Sequence, residues 1–236
     1  EVAKRIKNKA FVHIKIDTGM TRIGFQPNKE AITDITKIYE LVNINVEGIY
    51  THFATADDIN KEFTNTQVQK FKFMVEQLEL LGINIPIKHV SNSAATMDLP
   101  DLKFDMVRCG IVLYGHYPSD DVLKERLILK PAMTLKTTIA HIKEVQPGVG
   151  ISYGLKYKCN SKERIVTIPI GYADGFTRMQ SNPKVWIKEQ SFDVVGRICM
   201  DQCMVRIDKD INIEVGDPVI IFGEENITAE NIANNL

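Results

Sequence analysis

The residues best suited to chemistry in this chain cluster where apolar runs end. In "FVHIKIDTGMTRIGF" (11–25), Val12, Ile14 and Ile16 alternate with His13, Lys15 and Asp17. Successive side chains on a strand point to opposite faces, so one face is aliphatic and the other carries an imidazole, an amine and a carboxylate. A turn at Thr18–Gly19 follows, then Arg22 and Gly24. His52 closes the run "VEGIYTHF", Ser91, Asn92 and Ser93 follow "IKHV", and Arg108 and Gly110 lie in "DMVRCGIVLY". Taken singly, each has a plainer reading. His52 can be a hydrogen-bonded structural residue, Lys15 can reach solvent, Asn92–Ser93 can cap a helix, and Arg108 can pair with Asp105. Taken together, at four successive strand ends, they read as a site.

The elements that would position them alternate. Strands are expected at 11–17, 46–53, 87–91 and 105–114. Helices are expected at 27–42, where Ile32, Ile35, Ile38 and Leu41 recur at helical spacing, and at 60–81, which Gly82 stops. A short helix is expected from "NSAATM". Such alternation implies a parallel sheet or barrel, in which active groups gather at the C-terminal strand ends. Ser91–Ser93 at a helix start, with Gly110 alongside, suit an anion such as phosphate. A phosphate site on the last two strands of a barrel makes these strands seven and eight and "FVHIKID" strand five. Four strands are then expected before residue 1. From Lys130 onward β-type alternation dominates, including a long strand-like run at 184–207, and glycines punctuate it. The expected organisation is a partial (β/α) barrel over 1–126 and an all-β domain over 127–236: an α/β chain with the C-terminal half of a (β/α)8 TIM-type barrel followed by a β-domain.

Composition narrows the function. The chain has 236 residues, 44% of them hydrophobic and 25% charged, with a net charge of −1. That balance gives no electrostatic footprint for nucleic acid, and no apolar run is long enough to span a membrane. Four cysteines in a chain of this length read as reduced thiols of a cytoplasmic protein rather than a disulfide scaffold. Cys199 and Cys203 could suggest a metal pair, but the histidines are scattered and Cys203 sits in an alternating strand pattern that reads as core, so no metal site is expected.

Seven motifs in order, "KIDTGMTRIGF", "GIYTHFATAD", "HVSNSAATM", "MVRCGIVLYG", "GISYG", "IGYADGF" and "VGRICMDQCMV", resemble the alanine racemase family. Any one alone is weak. The resemblance implies a pyridoxal 5′-phosphate (PLP) enzyme, a homodimer, that racemises L- and D-alanine with two bases and supplies D-alanine for peptidoglycan. It implies that Lys15 is a lysine often carbamylated in the family, able as an anion to hold Arg22. Arg22 lies near the cofactor ring oxygen and the substrate carboxylate. Ser93, Gly110 and Ile111 bind the phosphate, and Arg108 faces the pyridine nitrogen. His52 links Arg108 to the catalytic Tyr153, which reaches the partner subunit's active site. Tyr172 and Arg178 line the substrate entrance, and the Met200 N–H meets the substrate carboxylate. Asp201 beside it has no assigned role. The PLP lysine belongs to a strand that no motif here matches, so the expectation is a C-terminal portion, inactive by itself.

Three other readings compete. One is the serine/alanine racemase domain of a vancomycin-resistance type protein. Another is a non-catalytic racemase fragment. The third is a metal-dependent barrel hydrolase using Asp17, His52 and His89, against which stand the position of His89 before its strand end and the lack of a His-x-His pair.

Overall fold

The computed structural model describes residues 1–207, 210–223 and 227–236. The chain forms two compact units, Glu1–Lys130 and Pro131–Leu236.

The first unit begins with a short helix, α1 (Val2–Arg5). It continues through β1 (Ala10–Lys15), α2 (Lys29–Tyr39), β2 (Ile44–Tyr50), α3 (Glu62–Leu80), β3 (Ile87–His89) and α4 (Ser93–Asp98). The three strands form a parallel sheet in the order β1-β2-β3. Asn28 caps α2 by accepting the Ala31 N–H at 2.9 Å. Ala31, Ile32 and Ile35 then fall on one buried face, as their helical spacing requires. On α3 the buried face is Thr64, Gln67, Val68, Phe71, Met74 and Leu78. These faces cover Ile14, Ile16, Val46 and Ile49 of the sheet, giving one apolar core.

Residues 105–114 differ from expectation. They form no strand: 105–110 are irregular and Ile111–Tyr114 make a 3-10 helix. The segment does run beside β3, with Asp105 N–H donating to Lys88 O at 3.0 Å and Arg108 N–H to Ser91 O at 2.9 Å. No third strand flanks it among the described residues, and the Gly110 backbone (φ −119°, ψ −96°) leaves the extended region. Asp105 does not pair with Arg108 either. Its carboxylate accepts the Lys88 N–H at 2.8 Å.

The second unit contains β4 (Leu135–Thr138), β5 (His141–Val145), β6 (Gly150–Ile151), β7 (Tyr157–Lys158), β8 (Glu163–Ile168), β9 (Lys184–Ile187), β10 (Gln190–Val195), β11 (Cys203–Ile207), β12 (Pro218–Phe222) and α5 (Ala229–Asn234). Seven of these strands form an antiparallel sheet in the order β4-β12-β9-β10-β11-β8-β5. The buried positions alternate along them, as in Cys203, Val205 and Ile207 of β11, so one face builds the core. The single run expected at 184–207 is three strands. Lys188 (φ 46°) and Glu189 (φ 65°) form a two-residue hairpin turn between β9 and β10, both in the left-handed region that such turns require. Thr228 caps α5, with Asn231 as the reciprocal partner. No helix among the described residues is long and apolar enough to cross a membrane.

Candidate active site

In the first unit the polar groups at the ends of β2 and β3 converge on Arg108. Its Nη2 donates to Thr51 O at 2.7 Å and to Val90 O at 3.3 Å, and meets His52 Nδ1 at 3.3 Å. Its Nη1 meets His89 Nδ1. The guanidinium also lies over the Tyr50 ring, 5.0 Å from its centroid. Burial pulls Arg108 below its ordinary pKa while Tyr50 acts in the opposite sense. Guanidinium groups are donors only, so each histidine must turn a bare nitrogen toward Arg108. His52 therefore carries its hydrogen on Nε2, available to a further acceptor.

Both rings are held neutral. Burial first, then the charges of Arg108, Arg22 and Lys15, push His52 down to about 4. Burial, then Arg108 and His13, with Asp105 opposing, push His89 down to about 4. His89 was not read from the sequence as part of this cluster. Tyr50 and His89 are register partners on β2 and β3 and so share a face, a pairing that residue spacing alone does not show.

Lys15 ends β1 with its side chain buried, and Nζ donates to Ile23 O at 3.0 Å. Burial lowers its pKa first, then Arg22 and Arg108, against the raising effect of Asp17. Among the described residues Asp17 forms no ion pair with Lys15. Asp17 Oδ1 instead accepts the N–H groups of Gly19 (3.1 Å) and Thr21 (2.9 Å) and closes the turn after β1. Burial acts to raise the Asp17 carboxyl, but the Thr21 and Gly19 amides and the Lys15 charge outweigh it, and its pKa is lowered. Arg22 stands exposed on this loop. Gln67 of α3 braces the strand ends from behind. Its Nε2 donates to Thr18 Oγ1 and to His52 O, each at 3.1 Å, while its Oε1 accepts the Ala54 N–H at 2.9 Å.

Ser93 opens α4 and its Oγ accepts the Gly110 N–H at 2.9 Å, so these two expected anion-binding positions are adjacent. Asn92 caps the same helix through the Ala95 N–H at 3.1 Å. Ile111 opens the 3-10 helix, so its N–H has no acceptor within that helix. A Cβ on Gly110 would meet only Ser93 Oγ, 3.8 Å away, which leaves an open cradle between Ser93 and Ile111.

In the second unit Tyr153, Tyr172, Arg178 and Met200 are drawn together through backbone carbonyls. Ser152 Oγ donates to Arg197 O at 2.6 Å, Arg178 Nε to Ile198 O at 2.6 Å, Tyr172 N–H to Cys199 O at 3.0 Å and Ala173 N–H to Met200 O at 2.9 Å. The Arg178 guanidinium lies over the Tyr172 ring, 4.4 Å from its centroid. Gly171 permits this approach, because a Cβ there would overlap the carbonyls of Cys199 and Met200. Tyr153 follows Ser152, whose φ of 60° and ψ of −173° is a conformation otherwise kept for glycine. Tyr153 and Met200 are exposed, at 63% and 59%. Asp201 is exposed as well.

A parallel α/β unit with ionisable groups at its strand ends, followed by an antiparallel unit presenting a tyrosine on a strained loop, is the architecture of a partial (β/α)8-type barrel followed by a β-domain. Residues 1–118 match the model of the alanine racemase N-terminal domain, and residues 132–236 that of the alanine racemase C-terminal domain. The chain is 49% identical, over 239 aligned residues, to an alanine racemase of Methanococcus maripaludis, covering 100% of this chain and 64% of that protein. It is 48% identical to one of Clostridium tetani, covering 100% and 62%. Among solved structures it is similar to alanine racemase of Clostridium difficile 630 (64% identity, TM-score 0.97, 100% of this chain and 61% of that one). It is also similar to that of Bacillus anthracis with bound L-Ala-P (34% identity, TM-score 0.89, 99% and 62%). The chain belongs to the alanine racemase family. It spans less than two thirds of the length of these relatives.

Proposed function

We propose that this chain carries the cofactor-side cluster and one proton-transfer group of a PLP-dependent, homodimeric amino-acid racemase that interconverts L- and D-alanine and so supplies D-alanine for peptidoglycan. The observation that carries this reading is Arg108, a half-buried cation aimed by two neutral histidines and two carbonyls. The open cradle at Gly110 and the donors at Ser93 and Ile111 fit a phosphate group, so these residues would hold PLP there. When bound, PLP withdraws electron density from the substrate Cα and acidifies its hydrogen.

The protein groups divide the remaining tasks. Arg108 would face the pyridine nitrogen. A guanidinium does not surrender its proton near neutrality, so Arg108 would leave that nitrogen unprotonated and would restrain side reactions at the cofactor. His52, bare at Nδ1, has Nε2–H free to donate to the Tyr153 oxygen of the partner subunit. That donation would stabilise the phenolate, the form in which a tyrosine acts as a base. Tyr153 would take or return the proton on one face of the substrate carbon. The opposite face needs a second base, which none of the matched motifs supplies. Arg22 and the Met200 N–H would hold the substrate carboxylate, and Tyr172 and Arg178 would line its entrance.

Lys15 is proposed to be carbamylated. As an ammonium it is destabilised by burial and by Arg22, whereas a carbamate accepts charge-assisted hydrogen bonds from that arginine. Labelled bicarbonate should place one carbon on each chain, and Lys15→Ala should abolish the label.

The test of function is turnover of each enantiomer of alanine and of serine by the full-length protein loaded with PLP. Alanine turnover in both directions, faster than serine, supports the reading. Serine preference favours the serine/alanine racemase alternative, and no turnover of either sinks racemisation.

A further inference from the structure

Arg108 is the near end of a longer chain of groups, and each link allows one direction only. His89 accepts from the guanidinium at Nδ1, so its hydrogen must sit on Nε2. That nitrogen lies 2.7 Å from His13 Nδ1, which must therefore be the acceptor. His13 then carries its own hydrogen on Nε2, 3.5 Å from Glu47 Oε2. The order of donation is Arg108, His89, then His13, and the Glu47 carboxylate stands at ion-pair distance beyond it.

Three features of the fold independently make room for this chain. Val12 pairs with Val46 and His13 with Gly48, so Glu47 is an extra residue in β2 and the pairing slips at that point. Bulges are uncommon between parallel strands, and they re-aim a side chain. Here the bulged residue is the one that receives His13. Gly48 follows it, and a Cβ there would overlap the His13 ring. Tyr50 stacks flat on His89, with centroids 4.9 Å apart and planes inclined by 3°. The ring of His89 is thus fixed on its face by Tyr50 and at both nitrogens by hydrogen bonds.

We propose that Glu47 and His13 are positioning residues: they fix the tautomer of His89 and thereby aim the Arg108 guanidinium. The physical reason is that the other tautomer of His89, or its imidazolium, turns an N–H toward a group that has only donors. Arg108 then loses the acceptor on Nη1 and is aimed only through Nη2. What the chain requires of Glu47 is an acceptor for the His13 Nε2–H, not its negative charge. The inference deepens the reading of Arg108 given above, and relies on it only for what the guanidinium faces.

The test uses the full-length, PLP-loaded protein labelled with ¹⁵N-histidine. Long-range ¹H–¹⁵N spectra near neutral pH distinguish the two ring tautomers. His13 and His89 should both be protonated on Nε2 alone. Glu47→Ala should spread both rings over two tautomers and lower kcat about tenfold, the effect of one lost hydrogen bond in a charged chain. KM and the melting temperature should not change, because Glu47 is half-exposed. Glu47→Gln, whose amide oxygen still accepts, should restore both spectrum and rate. The proposal is overturned if His89 carries its hydrogen on Nδ1 or is doubly protonated, if Glu47→Ala leaves the tautomers as they were, or if Glu47→Gln behaves like Glu47→Ala. The tautomers found as expected in a protein with no racemase activity would support the relay while sinking the proposed function.

Discussion

The two units prepare their functional groups in opposite ways. In the first, the cluster is buried or half-buried and mutually bonded: Arg108 touches two imidazoles and two carbonyls, and Gln67 ties the ends of β1 and β2 together. In the second, Tyr153, Tyr172 and Met200 stand exposed and are placed by backbone hydrogen bonds and a strained serine. Groups that set an electrostatic environment must be rigid and shielded from water before anything binds, since reorganising them later is costly. Groups that meet a moving substrate or a second subunit must remain reachable. The Ser152 conformation, which costs on the order of 1–3 kcal/mol, fits a loop held ready for a contact made elsewhere.

Substitutions can break this contrast. The largest effect is expected at Tyr153. In the full-length protein Tyr153→Phe should lower racemisation by about 10³-fold, within the range for losing a general base, with a change in stability below about 0.5 kcal/mol because the side chain is exposed. Turnover near normal would remove Tyr153 from the chemistry. Arg108→Ala should behave oppositely in stability. It leaves several buried acceptors unpaired and should cost about 2–3 kcal/mol in denaturant unfolding as well as lowering the rate. If stability is untouched, the buried cluster is not the rigid half.

Acid should also separate the units. His52 and His89 are lowered to about 4 in the folded chain, whereas the unfolded chain takes up protons near pH 6.5. The unfolded state therefore binds more protons between those values. The first unit should be fully stable above pH 6.5 and weaken steadily as pH falls toward 4. His52→Asn should flatten that slope, which unfolding at several pH values would read. An unchanged slope would mean other groups carry the acid sensitivity. The smallest effect lies in the second unit, away from any site. Replacing Lys188–Glu189 by Asn-Gly suits both left-handed positions and should stabilise by about 0.5–1 kcal/mol with no change in rate. A loss of stability would show that the turn is held by its side chains.

Much of the site was legible because parallel α/β topology sends strand ends to one edge, and polar residues after apolar runs mark those ends. Lys15, His52, Ser93 and Arg108 could be read that way. His13 and His89 could not, because their meeting depends on a slip at Glu47 that leaves no trace in residue spacing. Residues 105–114 looked like a strand because Met106, Val107 and the following apolar residues match that pattern. Pairing along one side only left the segment irregular. The β9–β10 turn was hidden because Lys188 and Glu189 lack the usual Asn-Gly signature. Ser152 was hidden for the same reason: only the folded backbone shows its positive φ.

The strand order of the second unit bears on how the chain is made. β4 lies at the edge of the sheet, and its one neighbour there is β12. Thr138 pairs with Pro218, about eighty residues later. During synthesis Leu135–Thr138 leave the ribosome long before their partner exists, so a stretch of backbone with open donors and acceptors waits through most of the translation of this unit. Non-local pairing of this kind is slow and exposes the nascent chain to aggregation. A ribosome stalled before residue 218 should therefore present a β4 that holdase chaperones bind, and release should follow once β12 emerges.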